Sequence, residues 1–441
     1  MNEKKKILIV SYCFAPQNVI GAVRATKLAK YLTRMGHEVT VICGEGLSSL
    51  KDPTLDRDLR ELKDVHVVRE WNPIRDRKQQ GAGESAAGSA EGKKAAQSPK
   101  NAGLTGRLRD ALYRFLLLCS DRSFACRSLR EIRSLGRRFD AVITSYGPLS
   151  SHWIGYGVKR RGMAAEWIAD FRDVVELPFL PGVKWAKGYL GKAAKHADCI
   201  TGVSAGYLAA MGLEGEAIPN GFDQEDLLGL DREPHGPGDA LRFVYCGQMY
   251  GAQRDLRPFF RAVKELSSEG VIPEQSLSFA HAGKKQDAAI FYEQAEAAGL
   301  GSAVKKHGML PRDEAIELQL SADVVLIAAW NTPECPGNLP GKLLEVLMMN
   351  RPVLCCTTGT VRGSESARVI QKTGVGFCYE EVEGERAYRE LKAYLKGLCE
   401  AFVQGAPMPF APVESEVAGY AYPHIARRFE ALLCGGGFDE E

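Results

Sequence analysis

Two charged residues stand out in an otherwise apolar segment late in the chain. In LPGKLLEVLMM, Pro340 suits the first position of a helix, and Gly341 lets another group approach the backbone closely. The free amides and the dipole of a helix amino end attract anions. Lys342 adds a point charge for a phosphate, and Glu345 can accept hydrogen bonds from vicinal hydroxyls such as those of a ribose. An ordinary i,i+3 ion pair explains the two residues equally well.

Composition limits what the whole chain can do. With 441 residues, 45% hydrophobic and 25% charged, it is a globular protein long enough for two domains. A net charge of +2 gives no global argument for binding nucleic acid. The 12 cysteines contain no C-x-x-C pair, which argues against zinc and disulfides and favours a reducing cytoplasm. The amino-terminal KKKILIV is followed by no A-x-A site, so it predicts a buried strand rather than a signal peptide.

Short β-branched runs alternate with helical patterns in both halves of the chain, which predicts an α/β protein with parallel, doubly wound sheets. We expect two Rossmann-like domains that face each other across a cleft, with ligands beyond the carboxyl ends of the strands. The expected strands are 6–12, 38–43, 140–145, 166–170 and 198–204 in the first half, and 241–247, 277–283, 303–308, 323–329 and 351–356 in the second.

Two segments interrupt this alternation. Residues 231–240, with two prolines and two glycines among polar residues, predict a hinge linker. Residues 78–103 are rich in Gly, Ala, Ser and Lys and have no aromatic or β-branched residue. Such a segment cannot bury enough apolar surface to offset its ordering entropy, so we expect a disordered insertion.

Several segments together resemble the family-4 nucleotide-sugar glycosyltransferases, over most of the chain outside the insertion. PGKLLEVLMMNRPVL is similar to that family's Lys and Glu before an Arg-Pro-Val turn, and residues 145–176 resemble a bacterial subgroup with a D-F-R-D motif. The other similar segments are 11–43, the Pro-Asn-Gly signature in 218–223, the strand–glycine–loop–helix of 243–266 and the base-binding segment 304–329.

The resemblance implies a GT-B fold with an acceptor-side domain at 1–225, a donor-binding domain at 240–412, and a last helix at 413–436 that crosses back to the first domain. It implies sugar transfer from a UDP- or GDP-sugar with retention of configuration. No metal and no cofactor other than this co-substrate are implied. The acceptor would be a lipid-linked glycan in bacterial surface polysaccharide synthesis.

The resemblance also assigns donor-side residues. Arg254 and Lys342 would hold the diphosphate, where charge grows as the sugar leaves, and Glu345 would hold the ribose. Backbone groups of Met309 and Leu310 would frame the base. The other implied donor contacts are Gly21, Gly247, Gln248, Gly283, Leu339, Pro340 and Gly341.

Two positions depart from the family pattern. Gln248 stands where many members carry arginine, and Gly337 stands where they carry the first of two acids. Arg24 could supply the missing charge, and Glu334 lies close enough in sequence to replace the missing acid. The departures keep open a nucleotide-sugar-binding protein without transferase activity. A nucleotide-sugar epimerase of the same fold is a further alternative.

On the acceptor side, Asp170, Arg172 and Asp173 follow an expected strand, where charged residues normally face a cleft. A loop ion pair is the structural alternative. His152 lies on an expected helix beside Trp153, where a packed histidine is the simpler interpretation and a contact to the acceptor the alternative. No general base is assigned, because the leaving phosphate can take the proton of the acceptor.

Residues 106–139 carry nine arginines against three acids. Leu112, Phe115 and Leu116 share one face of the expected helix, so it could lie on an anionic membrane surface. A solvated face over a domain core is equally ordinary. Aromatic residues do not alternate with these arginines, which argues against nucleic acid. The location we expect is therefore the cytoplasm, peripheral at the inner face of the cell membrane.

Overall fold

The computed structural model describes residues 3–46, 51–72, 104–148, 150–173, 195–230 and 239–433. The chain divides into two compact units. Unit 1 comprises Met1–Val203, Met211–Ile218 and Ala426–Glu441, and unit 2 comprises Ser204–Ala210 and Pro219–Ile425. The predicted insertion at 78–103, and all but the end of the predicted linker at 231–240, lie outside the described residues.

Unit 1 is built on a parallel sheet with the strand order β3-β2-β1-β4-β5-β6-β7. The strands at its centre are buried along almost their whole length, as in a sheet covered on both faces. Its strands are β1 (Lys6–Ser11), β2 (Glu38–Gly44), β3 (Val65–Val68), β4 (Phe139–Ser145), β5 (Ala164–Phe171), β6 (Cys199–Gly202) and β7 (Glu216–Ala217).

Unit 2 is built on a second parallel sheet, with the order β10-β9-β8-β11-β12-β13. In both sheets the order reverses beside the first strand of the unit, which is the doubly wound pattern of a Rossmann-like domain. The strands are β8 (Leu241–Cys246), β9 (Leu277–Ala282), β10 (Val304–Gly308), β11 (Val324–Trp330), β12 (Val353–Thr358) and β13 (Gly376–Glu380).

Helices connect the strands, as parallel pairing requires. The helices of unit 1 are α1 (Ile20–Arg34), α2 (Pro53–Leu59), α3 (Leu104–Ser134) and α4 (Ser150–Arg160). Those of unit 2 are α5 (Ala205–Ala210), α6 (Arg257–Ser268), α7 (Lys285–Glu296), α8 (Arg312–Leu320), α9 (Gly341–Val346), α10 (Glu365–Thr373), α11 (Gly384–Gln404) and α12 (Glu414–Ala418). The last helix, α13 (Tyr422–Leu433), begins in unit 2 and ends in unit 1.

The core of unit 2 shows why alternating strand residues must both be apolar. Phe243 and Tyr245 of β8 face one cluster, which α6, α7 and α11 complete. Val244 and Cys246 face the other cluster, which α8, α9 and α10 complete. Because successive side chains point to opposite faces, a strand covered on both sides has no polar face.

Residues 413–436, expected to form one last helix, contain two helices, α12 and α13. Backbone bonds pair Phe222 with the chain around residue 421: its N–H donates to the carbonyl of Tyr420, and its carbonyl accepts from the N–H of Tyr422. These bonds use backbone groups that a continuous helix would need, so α12 ends before them and α13 begins after them.

Candidate functional site

The carboxyl ends of three strands of unit 2 are tied side by side. The N–H of Gly247, after β8, donates to the carbonyl of Ala282 at 2.9 Å, and the N–H of Gly283, after β9, donates to Gly308 at 2.8 Å. A Cβ on Gly283 would lie 2.7 Å from the carbonyl oxygen of Gly247, so only glycine fits this approach. Gly247 and Gly283, two of the predicted donor contacts, are therefore neighbours at the edge where ligands of such sheets bind.

Met309 and Leu310 continue this edge directly after Gly308 of β10. Met309 is exposed, whereas Leu310 packs against an apolar cluster beneath the sheet edge. Their backbone lies next to Gly283, because Gly308 accepts its hydrogen bond. The predicted base-binding residues and the predicted donor contacts Gly247 and Gly283 thus share one edge.

Side chains of α7 fasten the loop between β8 and α6. The Oδ1 of buried Asp287 accepts from the N–H of Met249 at 2.7 Å, and Gln294 bonds the backbone of both Leu256 and Arg254. A loop held at both ends by side chains presents Gln248 and Arg254 in fixed positions. Sequence reasoning missed both anchors, since a single Asp or Gln in a helix has no distinguishing pattern.

Arg254 turns back over this loop. Its Nη1 donates to the carbonyl of Gln248 at 2.9 Å and to the hydroxyl of Tyr245 at 3.1 Å. Its guanidinium also lies 4.7 Å from the ring centre of Tyr250 and 5.4 Å from that of Trp330, within cation–π range. These partners orient the guanidinium without neutralising its charge.

Lys342 approaches the same turn from α9. A Cβ on Gly247 would lie 3.5 Å from both Cδ and Cε of Lys342, so the lysine side chain lies directly over this glycine. The helix that carries it is short, six residues, with buried Pro340 at its cap position rather than inside it. Leu339, one residue earlier, packs against the apolar cluster beneath and so fixes where α9 begins.

Arg254 and Lys342 form no ion pair with a carboxylate in the described part of the chain. Two cations close to the same turn repel each other, and an anion bound there would relieve that repulsion. Both side chains also lie near Gly247, whose N–H donates a backbone hydrogen bond at the end of β8. The chemistry that this edge offers is the binding of a phosphate or diphosphate.

Glu345, one turn further along α9, is held by a residue that sequence reasoning missed. The Nε and Nη2 of Arg312 donate to its Oε1 at 3.0 and 2.7 Å, and the same Nη2 donates to Asp226 at 2.9 Å. The side chain of Glu345 is 14% exposed. Lys342 and Glu345 do not form the predicted alternative, an ion pair with each other, because Arg312 binds the glutamate instead.

The thiol of Cys246, at the end of β8, is buried close to both Lys342 and Glu345. Burial raises its pKa to about 11, Lys342 opposes this rise and Glu345 adds to it. Lys342 and Glu345 therefore both act on the carboxyl end of β8.

Gly337 occupies a position at which no other residue fits. Its φ of 74° lies in the left-handed region, and a Cβ would lie 2.6 Å from Cα of Gly206 and 2.9 Å from Oγ of Ser204. Its carbonyl accepts a hydrogen bond from Ser204 at 2.7 Å. Packing thus excludes an acid here, and the neighbouring Glu334 is exposed on the loop.

In unit 1, Arg24 and Asp170 are each other's partners. Nε and Nη2 of Arg24 donate to the two carboxylate oxygens at 2.9 and 2.7 Å, and only 3% and 2% of the two side chains are exposed. Thr201 also donates to Asp170, and the carbonyl of Ile218 accepts from Arg24. The structural alternative for Asp170, an ion pair, is therefore what the structure contains, and the charge of Arg24 is neutralised within unit 1.

Arg172 lies between two glycines. A Cβ on Gly21 would lie 2.5 Å from its Cζ, and one on Gly147 would lie 2.9 Å from its Nε. Its Nε donates to the carbonyl of Tyr146 at 2.5 Å. Gly21 thus leaves the space that the guanidinium of Arg172 occupies. Asp173, which follows Arg172 in the sequence, is exposed.

His152 is a packed histidine. It is 2% exposed, its Nδ1 lies 2.7 Å from the hydroxyl of Thr144, and its ring meets that of Phe171 edge-on at 4.4 Å. Burial lowers its pKa to about 3, which the charge of Asp170 partly opposes. A neutral ring buried among aromatic side chains fits the simpler of the two interpretations.

No protein-family model and no curated protein matches this chain. Solved structures match it in fold. It is similar to a sucrose-phosphate synthase from Thermosynechococcus elongatus (13% identity, 98% of this chain and 99% of that chain, TM-score 0.57). It is also similar to the lipopolysaccharide outer core galactosyltransferase WaaB (12%, 98% and 99%, TM-score 0.54) and a glycosyltransferase from Rickettsia africae (14%, 98% and 99%, TM-score 0.54).

At these identities the likeness shows the fold alone. The chain has two Rossmann-like domains of the GT-B class, as predicted. Within the described residues, no helix combines the length and the apolar character that crossing a bilayer requires.

Proposed function

We propose that this protein is a glycosyltransferase that takes a sugar from a UDP- or GDP-sugar, with retention of configuration and without a metal ion. The observation that carries the proposal is that Arg254 binds the carbonyl of Gln248 and Lys342 lies over the adjacent Gly247, with no carboxylate paired to either among the described residues. A diphosphate is the anion of matching charge at the carboxyl edge of a Rossmann-like sheet.

These two cations supply the catalytic effect in this proposal. As the bond to the sugar breaks, negative charge grows on the diphosphate, and fixed cations stabilise it more than they stabilise the intact donor. Arg254 is held by Gln248 and Tyr245 before the donor arrives, so little reorganisation is needed. Gln248, in place of the family's arginine, contributes its backbone carbonyl as the support for Arg254.

The nucleoside would extend from the diphosphate along the same edge. Glu345 would accept hydrogen bonds from the ribose hydroxyls, and Arg312 orients it by binding its Oε1. Gly283 allows close approach, and the backbone of Met309 and Leu310 would frame the base.

The acceptor we propose is a lipid-linked glycan in bacterial surface polysaccharide synthesis, bound by a protein peripheral to the cytoplasmic face of the membrane. Of the acceptor-side residues, Asp173 is exposed and Arg172 partly so, whereas Arg24, Asp170 and His152 are buried. We therefore assign contact with the acceptor to Arg172 and Asp173. The leaving phosphate would take the acceptor proton.

A nucleotide-sugar-binding protein without transferase activity is the second candidate. Gly337 favours it, because packing keeps out the acid that related transferases carry at this position. The two candidates share the donor site and differ in turnover.

A thermal-shift screen with UDP, GDP, ADP and CMP tests the donor site, since a ligand of the native state raises the melting temperature. We expect UDP or GDP to do so, and Arg254→Ala and Lys342→Ala to abolish the shift. Arg257→Ala is the matched control, because Arg257 is exposed and pairs with Asp255. No shift with any nucleotide would overturn the proposal.

Donor turnover then separates the candidates. Slow hydrolysis of one UDP- or GDP-sugar without acceptor, lost in Glu345→Ala, supports the transferase. Nucleotide binding without turnover of any donor would favour the binding protein. An altered free sugar nucleotide, formed without acceptor, would indicate an epimerase.

A further inference from the structure

A cavity of about 310 Å³ lies within unit 2, away from the candidate donor site. Its lining includes the end of α9 and the residues just before β12 and β13, so it lies near the amino ends of these two strands. Ligands of doubly wound sheets bind at the other edge, beyond the carboxyl ends of the strands. The cavity is therefore separate from the site at Gly247, and the proposed function gives it no role.

The inner wall of the cavity is apolar and held by the core of unit 2. It is formed by Phe222, Val346, Leu347 and Val375, each of which is no more than 6% exposed. All four belong to the apolar cluster that α8, α9 and α10 complete. Because core packing fixes these side chains, the wall exists before any ligand arrives, as in most small-molecule sites.

The outer wall of the cavity is also mostly apolar and belongs to α12 and the segments on either side of it. The N–H of Val413, just before α12, donates to the carbonyl of Thr373 at 2.8 Å and ties this segment to the end of α10. Water between two apolar walls finds few hydrogen-bond partners. The apolar residues of the outer wall are Phe410, Pro412, Val417, Ala418 and Ala421.

Arg351 adds a cation to the lining. Its Nε donates to the carbonyl of Leu320 and its Nη1 to that of Asn350, both at 3.2 Å, so the guanidinium is held in place. Burial lowers the pKa of Arg351, which the charge of Asp323 partly opposes. Burial thus penalises the charged form, and an anion in the cavity would reduce that penalty.

We infer that this cavity is a second ligand site, for a small molecule with an apolar body and one carboxylate. The apolar body would leave water to pack against Phe222, Leu347 and Phe410. The carboxylate would accept charge-assisted hydrogen bonds from the guanidinium of Arg351. The volume lies at the lower end of the range of small-molecule sites, about 300–1,000 Å³, and is too small for a helix or strand of another protein.

This inference goes beyond the proposed function and does not rest on it. The two sites share α9: Lys342 and Glu345 lie on it, and its last residue, Val346, lines the cavity. A ligand in the cavity would therefore contact the helix that carries the donor-side charges. Its binding is measured without nucleotide, so failure of the second site and failure of the transferase are separate results.

Thermal-shift and ligand-detected NMR measurements on the full chain test the site, with 3-phenylpropionate as the probe. We expect this carboxylate to raise the melting temperature, since a ligand of the native state stabilises it. The neutral amide of the same shape, 3-phenylpropionamide, should bind at least about tenfold more weakly, because it forms no charge-assisted hydrogen bond with the arginine. The cation 3-phenylpropylamine should not bind.

Ala418→Trp should abolish binding of 3-phenylpropionate, because Ala418 is exposed on α12 and a large ring there fills the cavity. Val413→Trp is the matched control, because Val413 is exposed beside α12 and does not line the cavity. Without the probe, both variants should melt like the unchanged protein. Arg351→Gln should weaken binding about tenfold or more. Glu414→Gln should not weaken it, since exposed Glu414, which also lines the cavity, repels an anion.

Four outcomes would overturn the inference. The first is no binding of 3-phenylpropionate, and the second is equal binding of the acid and its amide. The third is unchanged binding of the acid in Ala418→Trp. The fourth is binding of the amine that Glu414→Gln abolishes, which would assign the cavity to a cation.

Discussion

Charged residues beyond the strands of the two units have different partners. In unit 1, Arg24 binds both oxygens of Asp170, and the pair is almost completely buried. In unit 2, Arg254 donates to two neutral oxygens, and Lys342 lies over a glycine. One sequence signal, a charge near the carboxyl end of a parallel strand, thus corresponds to a structural ion pair in one unit and to a candidate anion site in the other.

The difference has an energetic consequence. A buried pair must stay complete, because removing one partner leaves a charge that water cannot reach. A cation that binds a ligand contributes little to the free energy of unfolding. Its removal lowers the affinity for the ligand instead. Substitutions should therefore affect stability in unit 1 and nucleotide affinity in unit 2.

The largest effect should come from Arg24→Ala, which leaves Asp170 buried without its cation. We expect the free energy of unfolding to fall by about 3–5 kcal/mol, measured by urea denaturation. Arg34→Ala on the same helix is the control, because its pair with Glu61 is more than one-third exposed and should contribute less than about 1 kcal/mol. Equal losses in the two variants would remove the contrast between buried and exposed pairs.

In unit 2, Lys342→Ala and Arg254→Ala should each weaken UDP or GDP binding by about 10- to 100-fold, the effect of losing one charge-assisted hydrogen bond. Calorimetric titration measures the affinity, and urea denaturation should show a stability change below about 1 kcal/mol. If either variant instead lost as much stability as Arg24→Ala and kept its nucleotide affinity, the assignment of Arg254 and Lys342 to nucleotide binding would be wrong.

Gly337→Ala should cost about 1–3 kcal/mol of unfolding free energy, because the new Cβ meets backbone atoms and the left-handed conformation is strained. Gly21→Ala should cost less, since its Cβ meets the end of the Arg172 side chain, which has rotatable bonds, rather than backbone. Chemical denaturation of both variants compares them. A Gly337→Glu variant that stayed stable and gained transferase activity would contradict this account of the missing acid.

The last effect concerns pH in unit 1. The folded protein binds a proton at His152 only near a pKa of about 3, whereas an unfolded histidine binds it near about 6.5. Stability should therefore fall as pH decreases below about 6.5, with a slope of up to about 1.4 kcal/mol per pH unit from this group. His152→Phe should reduce that slope. An unchanged slope in His152→Phe would mean that the ring is accessible to protons.

Much of the fold was predictable because it depends on local patterns. The alternation of apolar runs and helices gave the two parallel sheets, and observed strands such as β8 and β11 lie close to the predicted ranges. The break between α12 and α13 was not predictable, because it depends on backbone bonds to Phe222, about 200 residues away in sequence.

The candidate site was predictable in part. Gly247, Gly283 and Lys342 were identified, and the structure brings them together. The supports were missed: Asp287 and Gln294 fasten the loop, and Arg312 orients Glu345. A positioning residue is defined by what it touches, and its type alone carries no signal.

The class of fold and the kinds of charge at the strand ends follow from local properties, hydrophobic periodicity and residue type, and can be read from the residues alone. Which charges neutralise one another depends on how the chain packs. Arg24 pairs with Asp170, which is 146 positions away in the sequence. Arg254 and Lys342 lie at the turn of Gly247 and Gln248, and neither pairs with a carboxylate in the described part of the chain. Coulomb energy depends on distance and burial, and both are set by packing.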